Sequence, residues 1–188
     1  MSQRVLLLPP GMGLDSLGFI TGGKTMTRFG LSLVFVTLFS SLAFADSIPD
    51  CLKKKGQVLD VNNAQVLDWK AHTKNEYHDR GHVKGQLLQV YSDATNHHHW
   101  QVQIGPNDTD TVEVIYNEDF GGVPEVSPGS EIEACGDYIT ANKQSGFYPP
   151  SPDGALVHWV HMTTNANHLG GFLVVDGTLC GQDDSRSK

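Results

Sequence analysis

The sequence predicts a mainly β chain: a small closed β-barrel preceded by an arm with one short helix. Three observations carry this. About six short segments alternate apolar and polar residues between turn signals, and period two is the mark of half-buried strands. Gly/Pro-rich stretches separate them, at 120–129 and 143–154. No segment sustains the 3.6-residue period of a long helix, and no repeat is present. Closure is the economical arrangement for so many short strands because it removes exposed edges. A two-sheet sandwich is the competing architecture.

In chain order, residues 1–25 are Gly- and Leu-rich without periodicity, and translation is expected to start at Met26 after an over-extended reading frame. Residues 26–45 read as a secretory signal peptide: Arg28, an apolar run over 31–39, then Ala43-Phe44-Ala45 with small residues at the cleavage-determining positions. The run is shorter than the about 20 residues of a comfortable membrane span. Export to the periplasm or the medium is the expectation. What remains suffices for one domain with its own core.

Residues 46–77 are expected to form the arm, with a helix started by an Asn62/Gln65 capping box and an apolar face of Val66, Leu67 and Trp69. The barrel is expected over 78–182. Val83, Gly85 and Leu87 begin the period-two pattern; Trp100, Val102 and Ile104 continue it, followed by Val112, Val114 and Tyr116, then Ile132, Ala134 and Tyr138. A further strand over 155–160 and one over 172–175 complete the set, the latter closed by Asp176-Gly177. Residues 183–188 are a polar tail expected to be flexible. His78 and His82, beside Gly81, are expected in a loop. The segment from Val126 to Tyr138, with its turn Gly129 and its bending Gly136, resembles a strand of the five-stranded OB barrel.

The formal net charge is −8, and the chain beyond residue 45 is more acidic still. Such a surface repels phosphate backbones, which disfavours nucleic acid as a general partner. Lys53-Lys54-Lys55 is the only basic cluster. The cysteines are Cys51, Cys135 and Cys180. Export favours a disulfide, and the arm-to-strand pair Cys51–Cys135 is preferred, leaving Cys180 free or paired between chains; sequence alone leaves the connectivity open. No Gly-x-Ser-x-Gly elbow or P-loop occurs, and nothing around Cys180 marks a reactive thiol.

The densest stretch of ligand-type side chains is 154–172. His158 and His161 flank Trp159, and His168 precedes Gly170-Gly171. On a regular strand His158 and His161 face opposite sides, so they converge only if the strand ends or kinks near Val160. Asn165 and Asn167 supply turn residues that would bring His168 back. Imidazoles meeting at a strand end would suit zinc or another divalent metal, with His158, His161 and His168 as ligands. The alternative is a hydrogen-bonded loop network. In the run His97-His98-His99, the outer two would share a face.

These motifs resemble, in order and spacing, an uncharacterised family of small exported bacterial proteins, the domain of unknown function numbered 3465. The resemblance covers residues 81–182 and rests on His97 three residues before Trp100, on Asn117, on Gly129 and Gly136, and on His158-Trp159-x-His161 with His168 and Gly171. It implies an OB-like barrel and export, and implies no activity. Tyr116 stands where the family has a histidine, Met162 where another often follows, and Thr163-Thr164 in place of an Asp-Pro pair. The shared set is His97, Asn117, His158, His161 and His168, to which Trp100 and Trp159 add aromatic surface.

Beside a purely structural envelope protein, a dimer linked through the odd cysteine, two functions follow as expectations. One is a noncatalytic exported module binding a small polar ligand or an envelope partner. The other is a zinc-dependent hydrolase, in which Asp93, Asp119 or Asp137 would serve as general base.

Overall fold

The computed structural model describes residues 47–91, 95–163, 165 and 168–183. The expected over-extension, the signal peptide and residues 184–188 of the tail lie outside the described residues.

The chain is mainly β, with a closed five-stranded barrel, two extra strands and one short helix. The strands are β1 (His78–Val90), β2 (His97–Gln103), β3 (Thr111–Asn117), β4 (Glu131–Thr140), β5 (Ala155–His158), β6 (Phe172–Val175) and β7 (Thr178–Cys180). They pair in the order β1-β2-β3-β5-β4, and a β1–β4 pairing closes the ring. The β3–β5 pair is parallel and the other pairs are antiparallel. The expected OB-like barrel is therefore the fold.

β1 makes closure possible because it serves two partners. Residues 78–86 pair with β4, and residues 86–90 pair with β2. Gly85 lies at the change of partner, where a Cβ would collide with the Gln103 carbonyl. His78 and His82 are thus strand residues rather than loop residues; interior glycines and the change of partner hid the strand's period.

The inward residues are those the alternation selects. Val83, Leu87, Trp100, Val102, Val112, Val114, Tyr116, Ile132, Ala134, Tyr138 and Val157 fill one core. The helix α1 (Asn63–His72) joins that core through Val66 and Trp69, whose indole lies 5.2 Å from the Tyr138 ring. Asn62 precedes α1 as expected but makes no side-chain cap. Its side chain instead accepts from the His82 backbone N–H at 2.8 Å, stitching the arm to β1.

A smaller core lies outside β4: Cys51, Leu59, Cys135, Phe172 and Val174. The Cys51–Cys135 disulfide crosses it, as preferred. Cys180 is a free thiol, 5% exposed. β6 and β7 form a hairpin through Asp176-Gly177, both at positive φ (47° and 82°). A two-residue turn of that kind is what an Asp-Gly pair favours. β7 itself is three residues long, too short for periodicity to mark.

Candidate functional site

The candidate site forms where β5 ends. β5 stops at His158, and Trp159 takes a left-handed backbone conformation with φ 57°. Bulky residues seldom adopt it, and such strain persists only where surrounding structure enforces it. Here the enforcement is steric. The departing chain crosses β4 at Gly136, where a Cβ would meet the His158 carbonyl, and it presses its Trp159 carbonyl against Gly171. The kink turns residues 159–161 out of strand register, which is the condition under which His158 and His161 can approach one another.

A chain of ring contacts results. The His97 and His158 centroids are 6.1 Å apart, and those of His158 and Trp159 5.5 Å. Trp159 also meets His161 at 5.5 Å and stacks on His168 at 4.3 Å, with the planes 14° apart. His168 therefore returns to this surface, joining it through the indole. Its Nδ1 lies 3.7 Å from Asp137 Oδ2, an ion-pair distance beyond hydrogen-bond reach. Asp137 Oδ1 accepts from Arg80 Nη1 at 2.8 Å, and Arg80 Nη2 donates to the Gly170 carbonyl. Of the carboxylates named as candidate bases, Asp137 joins the ring surface; Asp93 lies outside the described residues. Arg80 and Phe120 were not anticipated, since each reaches the site from distant sequence.

The zinc expectation is corrected by this geometry. Trp159 stands among His158, His161 and His168, so each histidine packs on the indole and no common centre is left between them. His161 is 2% exposed, stacks on Phe120 at 3.5 Å and donates from Nδ1 to the Met162 carbonyl at 2.6 Å. Among the described residues, no three His, Cys, Asp or Glu side chains could hold one metal ion.

Two further expectations change. Trp100 has no exposed surface and belongs to the barrel interior, so it cannot touch a ligand. Asn117 lies opposite His97 in the β2–β3 ladder, but its side-chain oxygen accepts from the Asp119 backbone N–H at 2.9 Å. Asn117 thus shapes the turn after β3. The His97–His99 run alternates as expected. His98 lies with Trp100 and Tyr116, whereas His99 Nδ1 pairs with Glu113 Oε1 at 2.6 Å on the other face. That outer face is overlaid by the loop 141–154. Asp153 anchors the loop by accepting from Thr111, Gln101 and Tyr91 at 2.6, 2.8 and 2.9 Å. Nothing in the Pro-rich loop sequence singles Asp153 out.

His158 is the residue whose chemistry the site alters most. Burial pushes its pKa down from 6.5 to about 4, helped by the neighbouring His97, His161 and His99 rings and opposed by Asp137. The ring makes no hydrogen bond to the described residues and is half-buried. At neutral pH it is an uncharged imidazole with one donor and one acceptor to offer.

The sign of the pH effect follows. The unfolded chain protonates His158 below about pH 6.5 and the folded chain only below about 4, so its full contribution to stability is present above 6.5. It declines as pH falls through that window, by on the order of 3 kcal/mol in all. The His158 ring protons, followed by NMR, are expected to titrate near 4; His158→Gln should flatten the fall in urea midpoint between pH 7 and 4. A ring titrating near 6.5 would contradict this account of the site.

The chain matches no protein-family model and no curated protein.

Proposed function

We propose that this chain is an exported, noncatalytic binding protein that holds a small polar ligand at the end of β5, over His158 and Trp159. The observation that carries the proposal is His158: a half-buried imidazole, neutral at pH 7, whose ring nitrogens have no hydrogen-bond partner among the described residues. A half-buried imidazole without a partner in the chain keeps a donor and an acceptor open to a partner from outside it. Trp159 beside it is half-exposed and supplies apolar area, and binding sites combine such surface with a few placed polar groups. His97, linked to His158 at ring distance, and His168 border the same surface.

Export is part of the proposal. It is supported by the signal-type pattern of residues 26–45, by a disulfide of the kind oxidising compartments maintain, and by the resemblance to the exported family numbered 3465. Among the described residues no helix is long and apolar enough to cross a membrane.

Thermal-shift measurements with nucleotides, oligosaccharides and short peptides test the binding claim. A ligand binding only the folded chain raises its Tm, by about 2.7 kcal/mol of stabilisation at a hundredfold excess over Kd. At least one class is expected to do so, and His158→Ala should abolish the shift. No stabilisation by any class would remove the support for a small polar ligand.

A further inference from the structure

Next to Asp137, and reaching Leu169 beside His168, the arm and the barrel enclose a second surface. It is a cleft of about 440 Å³ between Lys53 and Lys54 of the arm and His78, Asp79, Arg80 and Asp137 of β1 and β4. That volume falls in the range of small-molecule sites.

The arm lysines are placed there by structure. Residues 52–58 form a tight hairpin: Leu52 and Val58 bridge, the Lys53 N–H donates to the Gln57 carbonyl at 2.8 Å, and Lys55 and Gly56 turn the chain at φ 74° and 72°. The Cys51–Cys135 disulfide ties the base of this hairpin to β4, two residues from Asp137.

The charges of the cleft do not cancel locally. Asp137 is committed to Arg80 Nη1 at 2.8 Å. Asp79 accepts from the Tyr77 hydroxyl at 3.0 Å and from the Arg80 backbone N–H at 2.7 Å. Lys53 and Lys54 have no carboxylate partner among the described residues, in a chain of net charge −8. Two solvated lysines alone would signify nothing. The second observation is Arg80: it is 5% exposed, yet its Nε–H has no hydrogen-bond partner. Buried guanidinium donors are rarely left unsatisfied, and an ion from outside is one of the few explanations for an orphan.

We propose that this cleft binds the oxyanion group of a small anionic molecule, a phosphate or a carboxylate. Arg80 Nε–H supplies the buried donor, and Lys53 and Lys54 supply the compensating charge. Oxyanions accept several charge-assisted bonds at once, which suits such a convergence. The cleft adjoins the proposed ligand surface at His158, sharing Arg80 and Asp137 with it, but its test reads the Lys53, Lys54 and Arg80 resonances and does not depend on a ligand at His158.

The test follows the Arg80 Nε–H resonance and the Lys53 and Lys54 amides by NMR in the disulfide-bonded chain. Inorganic phosphate and succinate are titrated separately, with sodium chloride at matched ionic strength as control. Phosphate or succinate is expected to shift these resonances saturably while chloride does not, and the two arms distinguish phosphoryl from carboxylate. The double variant K53A/K54A, whose changes touch no side-chain hydrogen bond, should weaken the response about tenfold or more with an unchanged Tm. Shifts that fail to saturate or that chloride reproduces would overturn the proposal. So would undiminished binding by the double variant.

Discussion

Gly171→Ala is expected to destabilise the fold by about 3 kcal/mol or more, at the upper end of what overpacking costs. A Cβ at Gly171 would fall under 3.0 Å from two backbone oxygens, those of Cys135 and Trp159. Neither can swing aside as a side chain would. The Cys135 carbonyl belongs to the β4 strand, and Cys135 is the partner of Phe172 in the β4–β6 ladder. The Trp159 carbonyl belongs to the kinked exit from β5, already at φ 57°. The chain must either part β6 from β4 or push residues 159–160 outward. Gly122→Ala is the control, because a Cβ there meets nothing within 4 Å. It should stay within about 0.5 kcal/mol of the parent. Urea unfolding of the two variants measures the difference. Equal midpoints would mean that Trp159 is not held against Gly171.

Removing the disulfide is the second large effect. The Cys51→Ala/Cys135→Ala variant is expected to lose about 2–5 kcal/mol. The bond joins residues 84 apart, and closing a loop of that length restricts the unfolded chain by roughly 4.5 kcal/mol in the chain-entropy account. The folded state also loses packing, since Cys51 and Cys135 lie with Leu59, Phe172 and Val174 in the smaller core. Reductant should therefore lower the urea midpoint of the parent and leave the variant unchanged. A parent insensitive to complete reduction would contradict a stabilising role for the arm tether.

The parts of this molecule visible in the sequence are those that depend on near neighbours. β2 buries one face and β3 and β4 keep apolar alternation even where both faces are covered, so their patterns survive in the residues. The condition that His158 and His161 converge points to a strand end or kink near Val160, and β5 ends at His158. What stayed hidden depends on distant partners. Asn62 has the local signature of a helix cap, but the His82 backbone, twenty residues on, claims its side chain. His161 is one of three histidines close in sequence, candidate metal ligands by residue type, yet Phe120 occupies its ring face. Arg80 and Asp137 are isolated charges in sequence, 57 residues apart, and only the β1–β4 register makes them a pair. Trp100 entered the expected site as aromatic surface for a ligand, although its alternation with Val102 already pointed inward.

The central claim, a ligand surface over His158 and Trp159, is tested most directly by intrinsic fluorescence. Trp69 and Trp100 are buried at 9% and 0% exposure, so Trp159, half-exposed, is the tryptophan a surface ligand can reach. Any nucleotide, oligosaccharide or peptide that raises the Tm is predicted to shift the emission of the parent saturably, and to leave the emission of Trp159→Phe unchanged. A stabilising ligand that alters the emission of both proteins equally, or of neither, would place binding elsewhere and contradict the account.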